Sequence, residues 1–361
     1  MTSRERVMTV FAHHQPDRVP IWCGASEEFW AKSKRELSLD DEGLRLRFGD
    51  DFRRVREVFL GRDNLTLPGS HRAGPFGIER QGIGYGQPMS HPLAGATATG
   101  TGATATYTVA TLAQVHDFPW PTQDCMDISH IRAEAASWGG QYAILGGAWS
   151  PFFHDAIDLL GMEGLMLMMY DAPEVVDAVM GHLVDFYAET SVRIFDAAAD
   201  VIDIFFMGND YGSMIGPIVS EPQFRRFILP HQERLIRLGH DYGLKTMLHC
   251  CGGIAELIPD MLEAGLDAIH AVQPVCRGMD LRELKAKYGD RLVFNGAIDS
   301  QHVLIEGSAD YVRAETREVL DIMMPGGGYI AGASHDTILE ETPVENVLAM
   351  FDTVMEYGVY R

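Results

Sequence analysis

Leu244-Lys245-Thr246-Met247-Leu248-His249-Cys250-Cys251-Gly252 runs from a stretch of strand composition straight into a turn that carries one imidazole and two thiols. In a strand, side chains two residues apart share a face, so His249 and Cys251 point one way and Cys250 the other. A His-x-Cys pair on one face is half of a zinc site. Zinc takes about four tetrahedral ligands in a structural site, or about three protein ligands and an open position in a catalytic one. The alternative is that His249 is a hydrogen-bonded core histidine and the cysteines are small buried residues. What stands around this strand decides how it is used.

Upstream, Ser220-Glu221-Pro222-Gln223 opens an amphipathic segment to about Tyr242, in which Phe224, Phe227, Ile228, Leu235 and Leu238 recur at helical spacing. Pro230 predicts a bend in it and Gly243 a stop. The same alternation of apolar run and helical stretch extends over most of the chain, with strands predicted at 19–23, 142–148, 201–207, 244–248, 268–272, 292–295 and 329–333. These intervals are too wide for hairpins. Ser150-Pro151 and Thr342-Pro343 each offer an N-cap followed by proline, and Thr342 with Glu345 makes a capping box. Seven strands with intervening helices, and no dinucleotide fingerprint after the first, predict an α/β fold: a (β/α)8 TIM barrel whose eighth strand is hidden in the irregular N-terminal third. Residues 1–361 then form one domain. It carries an N-terminal β-rich insertion, a candidate lid, at about 60–118, where Gly95 to Tyr107 alternates Thr with Ala or Gly as an antiparallel ribbon does.

The chain of 361 residues is 46% hydrophobic and 22% charged, the balance of a soluble globular protein. Its 29 Lys plus Arg against 51 Asp plus Glu give a formal charge of −22, which opposes attachment to nucleic acid or to anionic membrane surfaces. Cys23, Cys125, Cys250, Cys251 and Cys276 are odd in number and scattered, which argues against a disulfide framework and for a reducing, cytoplasmic setting. The N-terminus has neither a signal-peptide core nor a transit pattern. The richest apolar run, Leu159 to Tyr170, contains Glu163 and is too short to span a bilayer.

Barrels of this kind place their chemistry at the C-terminal ends of the strands. That puts His154, Asn209, Asp210, Gln273, Asn295, Asp299, Ser334, His335 and Asp336 on the same rim as His249 and Cys251. Each has a plainer reading. Asn209 and Asp210 suit a turn or a helix cap, Asp299 suits a cap, and His154 suits a solvated surface. Met162, Met166, Met168 and Met169 are flexible core filler, and Gly326-Gly327-Gly328 is a tight turn without the residues of a phosphate loop.

Several segments, taken in order, carry a family resemblance: Ser3-Arg4-Glu5-Arg6-Val7, Pro16-Asp17-Arg18-Val19-Pro20, Gly208-Asn209-Asp210-Tyr211-Gly212, Leu248 to Gly252, Glu263-Ala264-Gly265-Leu266-Asp267, Val272-Gln273-Pro274 and Thr342-Pro343-Val344-Glu345-Asn346. Over nearly its whole length the chain resembles the uroporphyrinogen decarboxylase superfamily and, within it, the corrinoid-linked methyltransferases. It departs from true decarboxylases after Val19-Pro20. Where they carry arginines that meet a tetrapyrrole's carboxylates, this chain reads Ile21-Trp22-Cys23-Gly24-Ala25-Ser26-Glu27-Glu28, a segment that would repel a poly-carboxylate.

The resemblance implies zinc held by His249 and Cys251, with a third ligand near the last strand. The family's later cysteine is absent here. Gly332-Ala333-Ser334-His335-Asp336 stands in its place, so His335 completes a His-Cys-His set or serves as a substrate-binding imidazole without metal. Gln273 stands where some relatives place a carboxylate between these ligands. The reading that follows is a corrinoid-linked methyltransferase moving a methyl group between a small methoxylated or methylated compound and a cobalamin protein. In it Asp210 and Asn209 are catalytic, Gln273, His154 and Asn295 bind substrate, and His249, Cys251 and His335 hold the metal. Cobalamin belongs to a partner, since the chain lacks an Asp-x-His-x-x-Gly corrinoid signature, and the resemblance allows a homodimer. The alternatives are a metal-free decarboxylase-like lyase and a non-catalytic small-molecule binding barrel.

Overall fold

The computed structural model describes every residue except 62–66, 68, 70–71, 83–85 and 95–109. The alternating Gly95 to Tyr107 stretch lies wholly outside the described residues. Around it, Arg72–Ala73, Glu79–Gln81 and Gln87–Pro88 pair as a small antiparallel sheet.

Seven parallel strands form one curled sheet in sequence order: β1 Phe52–Arg54, β2 Ala143–Gly146, β3 Ile204–Gly208, β4 Lys245–His249, β5 Ala268–Val272, β6 Val293–Ile298 and β7 Tyr329–Ala333. Helices between and after the strands, such as Pro173–Ala198, Leu229–Asp241 and Ala309–Met323, cover its outer face. This is the parallel α/β architecture of a TIM-like fold. Six of the seven predicted strands are present. The seventh, at 19–23, is reduced to one parallel bridge, Ile21 to Ala331. The Trp22 N–H donates to the Ala331 carbonyl at 2.9 Å, and the Asp51 N–H donates to the Ile21 carbonyl at 3.0 Å, so Ile21 lies between β7 and the start of β1. Pro20 has no N–H to give to a longer ladder. The strand sought in the N-terminal third is β1, and the expected eight-stranded barrel is, among the described residues, a seven-stranded curled sheet.

Alternation along each strand divides the interior into layers. Phe52, Leu145, Phe206, Met247, Ala268, Val293 and Ile330 pack together inside the curl, and Val7, Val10 and Phe11 of the helix Ser3–Phe11 pack against this set. Two residues further along their strands, the inward positions are Arg54, Gly208, His249, His270, Asn295 and Gly332. The apolar layer is therefore a floor, and the polar layer stands on it.

Two expected caps do not form. The helix Phe152–Leu160 starts after Pro151 without a side-chain cap, because the Ser150 hydroxyl donates to the Ala148 carbonyl instead. The helix Val344–Tyr357 likewise has no side-chain cap, and Thr342 is buried with its carbonyl accepting from Lys32. Asp299 does cap, accepting from the N–H groups of Gln301 and His302. The bend expected at Pro230 is a π-type widening over Phe224–Ile228, where the Leu229 N–H reaches back to the Phe224 carbonyl. No helix among the described residues is long and apolar enough to cross a membrane.

Asp51 fixes the entry to β1. Its fully buried carboxylate accepts from Arg6 at 2.7 Å, from Arg18 at 2.8 and 3.1 Å and from the Ile21 N–H at 2.8 Å. Removing one charge from such a cluster leaves the others buried and uncompensated. Asp51→Asn is expected to lower unfolding stability by about 3–5 kcal/mol, read as a shifted urea midpoint at unchanged slope; a loss below ~1 kcal/mol would show that the clasp contributes no more than a surface pair.

Candidate metal and substrate site

Beyond the polar layer the sheet opens into a cleft of ≈ 940 Å³ whose walls include Trp22, Arg54, Trp149, Asp210, His249 and Asp336. His249 is the last residue of β4 and is almost fully buried. Cys251 follows on the same face, with its Sγ 3.2 Å from His249 Nε2, while Cys250 turns away and accepts a hydrogen bond from the Tyr211 N–H. The alternation read from sequence thus holds through the turn.

Asp210 arrives from the loop after β3. Its Oδ1 lies 3.5 Å from His249 Nε2 and accepts from the Cys251 N–H at 3.0 Å. Glycines make this approach possible. A Cβ on Gly212 would lie 2.5 Å from the Cys251 carbonyl oxygen, and one on Gly252, whose φ is +90°, would lie 2.4 Å from the Gly212 carbonyl carbon. The two loops therefore touch backbone to backbone.

Asp210, His249 and Cys251 present one ligand atom each, all within 4.8 Å of one another. A tetrahedral zinc with bonds of about 2.0–2.3 Å needs ligand atoms roughly 3.3–3.6 Å apart; the 3.5 Å separation of His249 Nε2 from Asp210 Oδ1 meets that, and the 3.2 Å separation of His249 Nε2 from Cys251 Sγ falls just short of it. Three protein ligands leave a fourth position for another molecule. Without a cation the group is unfavourable for charge: burial, and then the Asp210 carboxylate, push the Cys251 thiol well above its ordinary value. A divalent ion held between them would reverse that effect.

Behind His249 stands a histidine that the sequence reading passed over. His270, fully buried on β5, has its Nδ1 3.1 Å from His249 Nδ1, and its Nε2 has no hydrogen-bond partner among the described residues while lying 3.7 Å from Asp336 Oδ1. Burial holds His270 down to about 3, so it is neutral. For His249 Nε2 to offer a lone pair to a metal, its proton must sit on Nδ1 and be donated to His270 Nδ1. His270 then carries its own proton on Nε2, facing Asp336. The ring that offers the ligand is thereby held in one tautomer. His249, His270 and Asp336 also form a second ligand-sized group.

The other predicted residues divide. His335 lies on the cleft wall, but it is not in the Asp210 group; its ring centre is 6.5 Å from that of His249, and its Nδ1 accepts from the Thr337 N–H at 3.1 Å. The His-Cys-His set is therefore not what the geometry assembles, and Asp210 stands where His335 was expected. Asn209 is buried, with its oxygen accepting from the Phe153 N–H and its amide donating to the Ser150 carbonyl, so its side chain secures the loop after β2. Asn295 is buried in mid-strand and is not on the cleft wall, with its amide on Met247 Sδ. Gln273 accepts from the Gly252 N–H at 2.6 Å and lines a separate hollow of ≈ 280 Å³. His154 faces the main cleft.

Arginines missing from the 21–28 segment enter the cleft from elsewhere. Arg45, Arg53, Arg54, Arg56 and Arg80 all contribute to its wall. Three are engaged: Arg45 with Asp50 at 2.9 Å, Arg53 with Glu42 at 2.6 Å, and Arg80 with Asp155 and Asp158 at 3.0 and 2.7 Å.

Comparison with known proteins agrees with this architecture. A methyltransferase of solved structure from Methanosarcina mazei superposes with a TM-score of 0.65 at 18% identity, covering 99% of both chains, which is a likeness of fold. The methylcobamide:CoM methyltransferase MtaA of Methanosarcina barkeri is 26% identical over 224 residues, 61% of this chain and 60% of that protein. A uroporphyrinogen decarboxylase of Syntrophotalea carbinolica is 25% identical over 194 residues, 53% of this chain and 51% of that one. The matched region thus spans between half and two thirds of these relatives. Residues 107–357 match the model of the uroporphyrinogen decarboxylase (URO-D) family, and the chain belongs to that family.

Proposed function

We propose that this protein is a zinc-assisted, corrinoid-linked methyltransferase that moves a methyl group between a small methylated or methoxylated compound and a cobalamin carried by a partner protein. The observation that supports the reading most is the convergence of Asp210 Oδ1, His249 Nε2 and Cys251 Sγ at the mouth of the curled sheet. The similarity to methylcobamide:CoM methyltransferases agrees with it, whereas the three engaged arginines leave few free cations for a poly-carboxylate such as a porphyrinogen.

Zinc, when bound, supplies Lewis acidity to the heteroatom that carries the methyl group. One nitrogen, one sulfur and one carboxylate oxygen make a harder ligand set than a site with two thiolates, which favours an oxygen or nitrogen substrate over thiol alkylation. The chain's own residues do the rest. The aromatic walls Trp22 and Trp149 exclude water from one side, His154 faces the bound compound, and His270 with Asp336 keeps His249 in the tautomer that offers Nε2.

Untagged protein is expected to carry near-stoichiometric zinc by elemental analysis. Cys251→Ser and Asp210→Asn should each lose it together with methyl transfer from methylcobalamin, whereas His335→Ala should keep the metal. Zinc retained in Cys251→Ser would overturn this ligand set, and carbon dioxide released from a porphyrinogen by metal-free enzyme would sink the proposal in favour of the lyase. The positioning role of His270 has a separate readout. His270→Phe should weaken zinc in a chelator competition by about 10–100-fold while the fold survives, and unchanged affinity would mean that His249 needs no orienting partner.

A further inference from the structure

Arg54 is unlike the other half-buried or buried arginines of the cleft. Arg45, Arg53 and Arg80 each meet a carboxylate at 3.0 Å or less. Arg54 has no hydrogen-bond partner and no ion pair among the described residues. Its guanidinium instead lies over two aromatic rings, 4.7 Å from the centre of Trp149 and 4.8 Å from that of Phe206. Asp336 and Glu57 feel its charge from beyond ion-pairing distance. Burial pulls it down to about 9, which still leaves it protonated at neutral pH.

Aromatic faces attract a cation, but they use only the flat face of the guanidinium. Its five N–H groups point outward in the plane, in a fork that matches a carboxylate. An N–H edge without an acceptor in a partly dry cleft is costly unless a ligand or water completes it. Its place relative to the metal ligands is set by Trp149, whose ring centre is 5.5 Å from that of His249 on one side and 4.7 Å from Arg54 on the other. Trp149 can lie there because residue 208 is glycine; a Cβ at that position would fall 2.0 Å from the indole ring. Arg54 and His249 are thus inward residues of β1 and β4 flanking one indole, and a molecule of a few bonds spans them.

We infer that the small substrate carries a carboxylate, bound by Arg54 across Trp149, at the end opposite the methyl-bearing heteroatom that meets the Asp210, His249 and Cys251 group. This rests on the methyl-transfer reading for the second end of the molecule and on Arg54 alone for the first. The strongly acidic chain and the acidic outer lip, with Glu27, Glu28, Glu340 and Glu341, make a cation at this depth a local selection for one anion rather than a general attraction.

The test compares 3-methoxypropionate with its uncharged amide, 3-methoxypropanamide, by ligand-observed NMR titration of the zinc-loaded protein. The carboxylate is expected to bind roughly ten- to a hundredfold more tightly. Arg54→Met, which keeps the stem on the rings, should abolish that difference with zinc content unchanged, and Arg54→Lys should restore part of it. The wild-type comparison needs no variant to fold. Equal binding of the two probes, binding of neither, or a preference that survives in Arg54→Met overturns the inference. Zinc content reports on the other reading: a metal-free protein that still prefers the carboxylate through Arg54 sinks the metal and keeps the anion site, whereas a zinc protein without the preference does the reverse.

Discussion

The two-residue pleat of parallel strands is the constraint from which the site follows. Inward residues alternate with outward ones, so four of the strands contribute one apolar side chain to the floor and, two residues later, one polar side chain to the layer above. Phe52 and Arg54, Met247 and His249, Ala268 and His270, and Val293 and Asn295 are four such pairs. A slip of one residue in any strand would exchange a floor residue for an outward one and carry the polar group out of the cleft. The register of β1 is the most exposed to such a slip, because that strand has three residues and only one neighbouring strand in the sheet. The Asp51 clasp immediately before Phe52 compensates by tying the strand's first residues to Arg6, Arg18 and Ile21.

Burial within this layer has opposite consequences for its members. His270 is kept neutral, so it can pass orientation to His249 but adds no charge. Arg54 stays charged, supported by aromatic faces in place of a carboxylate. The thiol of Cys251, next to the Asp210 carboxylate, is held protonated by the same burial. Three acid-base groups in one small volume thus sit in states that suit a cation at one end and an anion at the other. Neither requirement could be met by the chain's overall charge of −22, which is spread over its surface.

Much of the fold was legible because buried parallel strands are short apolar runs between helices, and six of them were found by that pattern. β1 was not, since Phe52-Arg53-Arg54 reads as a charged turn; what makes it a strand is its neighbour β2 and the two aromatic rings that receive Arg54. The failed cap at Ser150 has a similar origin, because its hydroxyl is taken by the Ala148 carbonyl. In the site, His249 and Cys251 were legible from their spacing, which is local. Asp210 was noticed but given a catalytic rather than a ligand role, and its approach to Cys251 depends on a contact between Gly212 and Gly252 that spacing does not reveal. His270 sits in the middle of Ala268–Val272, where a histidine reads as a core residue, and only the register of β4 against β5 pairs it with His249.

The exchange of His335 for Asp210 as the third candidate ligand alters the chemistry as well as the list of residues. An imidazole would have added a neutral ligand to the site, whereas a carboxylate adds a negative charge and a harder donor. With an imidazole, a carboxylate and a thiolate as its ligands, a divalent ion held there would have its charge balanced with none left over. A neutral site of this kind has no attraction for an anion on its own, and it does not repel one either. Binding of a carboxylated substrate therefore depends on a cation placed away from the metal, near enough to share a small molecule with it and far enough to leave the fourth position open. Among the arginines on the cleft wall, Arg54 meets that condition: β1 brings it inward beside Trp149, and no carboxylate of the described residues has claimed its free edge.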